Sequence, residues 1–182
     1  MAAIHVHEFM SLDGVIDTPT WTADYEFLPR MEEVLGAVTG ASEAILLGRN
    51  TYEMFYPAWS TRTVEDDPGA PFFNEAAKFV VSSTLTGPEW NNTTVIGGYN
   101  PERIRQLKGE VDGHICSSGS GTVVRCILAD RRIDEVNLFM YPLTRGSGPR
   151  LFPPDATPLG LTLGSAEAFD HGVVYLNYRL ER

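Results

Sequence analysis

Short apolar blocks punctuated by Gly, Pro, Asn and Asp run the length of the chain, and their spacing switches between strand-like and helix-like stretches. Residues 4–10 predict a strand that closes at the turn signal Ser11-Leu12-Asp13-Gly14. Val15 and Ile16 then form an apolar pair ahead of a loop at Asp17-Thr18-Pro19-Thr20. Phe27, Leu28, Met31, Val34, Leu35 and Val38 fall at helical spacing and predict a helix over 27–39, with Pro29 in its first turn and Gly40 as its stop. A short buried strand at 43–47 runs into Gly48-Arg49-Asn50-Thr51 and an aromatic-rich helical turn at 52–56. A charged loop over 59–69 precedes a helix at 71–77 and a strand at 78–81 that ends in Ser82-Ser83-Thr84. A short strand at 93–96 and a helix at 101–108, opened by Pro101, come next. A strand at 114–117, a helix at 121–130 and a strand at 135–141 follow, then a loop over 142–154. Segments 161–169 and 173–180 alternate and are joined by the turn Asp170-His171-Gly172. Strands alternating with helices and ending in a hairpin predict a single α/β domain, with a mostly parallel sheet and an antiparallel edge.

Composition narrows the function classes. The length of 182 residues is that of one domain of roughly 100–200 residues. Hydrophobic residues make up 43% and charged residues 21%, and no apolar run approaches the roughly 20 residues that span a bilayer, so no membrane role is expected. The N-terminus has no basic flank or long apolar segment and does not read as a signal peptide, which predicts a cytoplasmic protein. The net charge is −10 and the only lysines are Lys78 and Lys108; such a chain repels a phosphate backbone, so nucleic acid is not an expected partner. An anionic ligand would have to be held locally, by helix N-termini, backbone N–H groups and a few arginines. Cys116 and Cys126 read as buried, reduced thiols. His5 and His7 share one face of the first strand, but His114 and His171 stand at no metal-ligand spacing, so no metal is expected.

Three strand ends carry small or hydroxylated residues. Ser118-Gly119-Ser120-Gly121-Thr122 joins a strand to an apolar helix, as a phosphate-cradling turn does. Val124 stands where a third glycine of a Rossmann fingerprint would be, and no Gly-Lys-Ser/Thr follows, so the loop is neither that fingerprint nor a P-loop. Arg49 and Thr51 follow the second strand and Ser82-Ser83-Thr84 the third. In open α/β sheets ligands bind at the carboxyl ends of strands.

These motifs, with Ser11-Leu12-Asp13-Gly14, Leu46-Leu47-Gly48-Arg49-Asn50-Thr51-Tyr52-Glu53, Lys78-Phe79-Val80-Val81-Ser82-Ser83-Thr84-Leu85, Ile133-Asp134-Glu135-Val136 and Gly146-Ser147-Gly148 ahead of Leu151-Phe152, occur in one order along nearly the whole chain. In this the sequence resembles the dihydrofolate-reductase-like superfamily. The closer likeness is to the reductase domain at the C-terminal end of the riboflavin-biosynthesis deaminase–reductase and to its stand-alone relatives. The resemblance implies a sheet of eight to nine strands with helices on both faces, NADPH bound across the strand ends, and a homodimer. It places Gly48, Arg49 and Thr51 near the phosphates and the adenosine side, and Ser82 and Ser83 at the adenosine ribose and its 2′-phosphate. Ser118, Gly119, Ser120, Gly121 and Thr122 fall at the pyrophosphate and nicotinamide ribose, and Ile16 against the nicotinamide.

The implied activity is hydride transfer to a C=N or C=O bond of a small heterocycle, similar to that of 5-amino-6-(5-phosphoribosylamino)uracil reductase. Residues 52–59 depart from the phosphate-binding segment of the pathway enzymes, which leaves the substrate open. Dihydrofolate reductases carry a carboxylate shortly after a tryptophan; Glu26 stands at that offset from Trp21, and Asp13 is the other candidate acid. Trp21, Phe55 and Trp59 are candidate walls for a flat substrate. A dihydrofolate reductase and a non-catalytic NADPH-binding protein remain the alternatives.

Overall fold

In the computed structural model, which describes residues 1–16 and 18–181, the first strand, β1 (Ile4–Ser11), places Ile4, Val6 and Met10 in one apolar cluster and Phe9 in another. Strand β2 (Ser42–Gly48) divides in the same way, Ala44 and Leu46 to one side, Ile45 and Leu47 to the other. This two-residue alternation makes a sheet apolar on both faces, which needs cover on both. The remaining strands are β3 (Ala77–Val81), β4 (Thr93–Val95), β5 (His114–Ser117), β6 (Glu135–Tyr141), β7 (Leu161–Ala168) and β8 (Val174–Leu180). The helices are α1 (Pro29–Gly40), α2 (Arg49–Trp59), α3 (Ala70–Glu75), α4 (Pro101–Glu110) and α5 (Gly121–Ala129).

The eight strands form one sheet in the order β4-β3-β2-β5-β1-β6-β8-β7. The first six in that order run parallel, while β8 pairs antiparallel with both β6 and β7. Ile104 and Leu107 of α4 and Val124 and Ile127 of α5 pack with Ala44, Leu46, Ile4 and Val6 on one face. Met31 and Val34 of α1 pack with Phe139 and Tyr141, and Tyr52 of α2 packs with Ile45 and Leu47, on the other. The expected fold class is thus the observed one. Among the described residues no helix is long and apolar enough to cross a membrane.

The boundaries differ where tertiary contacts decide them. Helix α1 begins at Pro29 rather than at 27, because Leu28 is held extended (ψ 151°), as a residue before proline prefers. The aromatic turn expected at 52–56 is the middle of the longer α2. Its Tyr52, Phe55, Tyr56 and Trp59, at three- and four-residue spacing, pack around Trp90, Phe72 and Phe73, and this packing outweighs the cost of Pro57 within the helix. An unforeseen 3₁₀ turn, Thr20–Asp24, buries Trp21 against Tyr141 at 5.4 Å between ring centroids. The loop expected at 17–20 begins at Asp17, which lies outside the described residues. Lys78 is fully buried in β3, yet its ammonium donates to the carbonyls of Asn74, Ala76 and Asn91 and lies 4.7 Å from the centre of the Trp90 ring.

Candidate active site

The site follows from where two parallel strands part. β1 pairs with β5 only from Ile4↔Ile115 to Val6↔Ser117, but with β6 as far as Ser11↔Tyr141. Beyond Val6 the chain of β5 turns away into α5, and a cavity of about 950 Å³ opens there. On its α1 and α2 side it is walled by His7, Phe9, Phe27, Phe55 and Trp59; on its α5 side by Glu8, Ile16, Gly121 and Arg125. Trp59 is fixed by stacking on Phe73 at 4.1 Å, with the Arg62 guanidinium 4.9 Å over its ring.

The loop between β5 and α5 is positioned by α2. Gly119 takes φ +100° and is followed by a cis peptide to Ser120. The Ser120 hydroxyl accepts from the Thr51 N–H (3.2 Å) and lies 3.1 Å from the Thr51 hydroxyl, so it caps the neighbouring helix rather than its own. Gly48 makes this approach physically possible: a Cβ there would fall 2.4 Å from the Ser120 Oγ. Gly121 serves likewise, since a Cβ on it would lie 2.7 Å from Cδ1 of Ile16. Among the described residues no side chain caps the first turn of α5, and Gly121 and Thr122 in that turn line the cavity beside Ser118. Uncapped N–H groups at a helix N-terminus, with a nearby arginine, are the donor set that a pyrophosphate needs. On that ground the residues present fit a dinucleotide.

The ends of β2 and β3 lie alongside, with Gly48 opposite Val81. Arg49 is exposed; it donates to the Thr84 hydroxyl (2.7 Å) and pairs with Glu53 (2.7 Å). Ser82 is buried, its hydroxyl accepting from the N–H groups of Thr84 and Leu85, which leaves Ser83 as the exposed hydroxyl of the pair. Gly48, Arg49, Ser82 and Ser83 therefore form a ledge beside the cavity and are not part of its wall, whereas Ile16, Thr51 and residues 118–122 line it.

The structure brings neither expected acid into the cavity, and this corrects the sequence reading. Glu26 is exposed, with its carboxylate 3.7 Å from the His171 imidazole, because α1 starts three residues later and carries it away from the strand ends. Asp13 is a loop anchor. It accepts from the Ser11 hydroxyl (2.6 Å) and from the N–H groups of Arg145 (3.0 Å) and Gly146 (2.8 Å), and these bonds hold it well below the usual carboxylate range. The second Gly-Ser-Gly segment is thereby docked on the first turn of the chain. Trp21, buried against Tyr141, is no cavity wall, while Phe55 and Trp59 are.

Two titratable groups that the sequence did not mark as catalytic do face the cavity, and both are buried. Desolvation holds His7 down to about 4, and among the described residues neither ring nitrogen has a partner. Glu8 is held up to about 8 by burial, against a smaller opposite pull from Arg125. At the other end of the sheet His5 stacks on His114 at 4.4 Å, and among the described residues no group of side chains could hold a metal ion.

The family model for the RibD C-terminal domain matches residues 2–175. The chain is similar to a crystal structure from Shewanella sp. PV-4 described as a riboflavin biosynthesis protein, at TM-score 0.80 and 20% identity over 99% of both chains. It matches the diaminohydroxyphosphoribosylaminopyrimidine deaminase/5-amino-6-(5-phosphoribosylamino)uracil reductase of Thermotoga maritima over 99% of its own length and 57% of that chain, at TM-score 0.68 and 18% identity. It also matches Enterococcus faecalis dihydrofolate reductase complexed with NADP(H), at TM-score 0.62 and 16% identity over 99% and 97% of the two chains. At these identities the likeness shows a dihydrofolate-reductase-like fold. No curated protein sequence gives a significant match.

Proposed function

Because the chain belongs to the RibD C-terminal domain family, we propose that it is an NADPH-dependent reductase acting on a C=N or C=O bond of a small heterocycle. The observation that carries this reading is the cavity at the parting of β1 and β5, with the uncapped N-terminus of α5 on one side and an aromatic wall on the other. Ser118, Gly119, Ser120, Gly121 and Thr122 would hold the pyrophosphate and nicotinamide ribose, with Ile16 against the nicotinamide. Gly48, Arg49, Thr51, Ser82 and Ser83 would line the path to the adenosine. When bound, NADPH supplies the hydride; the protein supplies position, exclusion of water and the proton. Phe55 and Trp59 would stack on the flat substrate.

The pathway-type phosphoribosyl substrate is the finer version of this reading. A dihydrofolate reductase is less favoured, because Glu26 does not reach the cavity. We also propose a homodimer: β7 is an edge strand whose residues are mostly exposed, Leu163 among them, and such an edge invites cover. Light scattering reads that state directly.

The decisive experiment is quenching of the three tryptophans by NADPH and NADH, followed by NADPH oxidation against a panel of pterins, pyrimidines and quinones. Micromolar NADPH binding with turnover of at least one compound is expected. Failure of both nucleotides to bind below millimolar concentration would sink the reading. Tight binding with no oxidation of any compound would favour a non-catalytic NADPH-binding protein.

A further inference from the structure

The middle of β1 holds a carboxyl group that the packing of the sheet does not account for. Glu8 is only 8% exposed, and its Oε1 is sealed from solvent with no hydrogen-bond partner among the described residues, yet the residue lines the cavity. Its neighbour across β6 is Leu138, and Val6 and Met10 flank it on its own face of β1. Buried polar groups are nearly always paired, and an orphan in a cleft is a candidate functional group. The charged group that acts on it is Arg125 of α5, whose guanidinium is itself held by the Arg150 carbonyl and the Thr122 hydroxyl. Glu32 and Glu33 of α1, with Arg62 and Asp67 beyond α2, also line the cavity, and His7 lies on the opposite face of β1. Burial keeps the Glu8 proton on at neutral pH.

We propose that Glu8 is the catalytic acid of the reductase, donating a hydrogen bond and then its proton to the ring nitrogen or carbonyl oxygen of an uncharged planar heterocycle. The proposal rests on the reductase reading. As the substrate carbon gains a hydride, its π pair settles on the nitrogen or oxygen. The Glu8 O–H bond breaks while the new N–H or O–H bond forms, and the C=N or C=O is reduced by two electrons. The carboxylate left behind faces Arg125 and takes a proton back from solvent. An uncharged substrate is favoured because the cavity's two arginines are outnumbered by Glu32, Glu33 and Asp67 even with Glu8 neutral, and Arg62 is already paired with Asp67. A substrate phosphate, beyond those of the cofactor, would meet Arg62 already paired with Asp67, so the phosphoribosyl substrate is the less favoured version of the reductase reading.

The test compares wild type with Glu8→Gln, which keeps shape and a donor but has no proton to give, and with Glu8→Asp. In the apoprotein, the infrared difference between wild type and Glu8→Gln should contain a protonated carboxyl band at pH 7 that fades as pH rises through about 8. With NADPH and the panel compound that wild type reduces, Glu8→Gln should slow single-turnover oxidation by about 100-fold or more. The Kd for NADPH should be unchanged and the alkaline fall in rate lost, with Glu8→Asp intermediate. An ionised carboxyl at pH 6, equal rates in wild type and a folded Glu8→Gln, or an alkaline limb that persists in Glu8→Gln each overturns the proposal. So does a variant whose defect is confined to NADPH affinity. Absence of NADPH binding by wild type fails the reductase reading instead.

Discussion

Replacing Gly48 by alanine tests whether the phosphate-side loop is held by close approach. Gly48 has φ −85° and ψ 165°, a conformation any residue adopts, so the substitution costs nothing in backbone freedom. Its whole effect is steric: the new Cβ would lie 2.4 Å from Oγ and 2.7 Å from Cβ of Ser120, and 3.1 Å from Cγ2 of Val123. Ser120 sits on the loop into α5 and must move, and with it goes the cap on the Thr51 N–H. Overpacking of this kind costs about 1–3 kcal/mol and a lost cap about 1 kcal/mol. Together they predict about 2–4 kcal/mol, or a fall in Tm of roughly 5–15 °C for a chain of this size. Ser120→Ala, which loses only the cap, should lower Tm by about 2–4 °C. Pairing Gly48→Ala with Ser120→Gly removes the crowding side chain, so the double variant should be more stable than the sum of the two single effects. Thermal melts and NADPH titrations of wild type, Gly48→Ala, Ser120→Gly and the double variant, with Ser120→Ala alongside, provide the readout. A Gly48→Ala protein melting within about 2 °C of wild type, or strict additivity in the cycle, would refute the close-approach argument.

Three further outcomes follow from buried or anchoring groups. Lys78→Met leaves the carbonyls of Asn74, Ala76 and Asn91 without their donor; at about 1–3 kcal/mol for a stranded buried group, guanidinium melts should show a loss of at least 2 kcal/mol, and an unchanged midpoint would contradict the assignment. His7 is held down to about 4 in the folded chain against 6.5 unfolded, so the unfolded chain binds the extra proton between those values. Stability is therefore lost as pH falls from 6.5 towards 4, by about 3 kcal/mol in full. His7→Phe should flatten that limb of the urea-derived stability curve, and an equal acid loss in the variant would count against the cause. Asp13→Ala removes the shared acceptor of Arg145 and Gly146, so hydrogen exchange at those two amides should accelerate while exchange in β6 does not.

Most of the fold was legible because its signals are local and repeated. The strands at 114–117 and 135–141 were bounded as expected, and the alternation at 161–169 and 173–180 gave the antiparallel edge. What was not legible depended on distant partners. The extent of α2 is set by Trp90, Phe72 and Phe73, which lie 13 or more residues beyond its end. The entry to α1 is set by the extended conformation that Pro29 imposes on Leu28, two residues later than expected, and Glu26 lies outside the cavity lining.

The site divides along the same line. Glycines and hydroxyls at strand ends are legible in sequence as places where the chain can approach closely, and Gly48, Ser120 and Gly121 make such approaches in three dimensions. An acid has no such signature. Asp13 and Glu26 drew notice by standing in a turn and near a tryptophan, and the hydrogen bonds of that turn hold Asp13 as an ion. Glu8 stands in a strand between His7 and Phe9, where a polar residue reads as one facing solvent. Only the early end of β5 at Ser117 turns that face into a cavity wall, and only the apolar neighbours across β6 and α5 make it dry enough to keep the proton. The property that suits Glu8 to acid chemistry comes from desolvation by residues far apart in the chain. The sequence motifs therefore mark the end of the cavity where α5 begins, and the topology of the sheet marks the end where Glu8 lies.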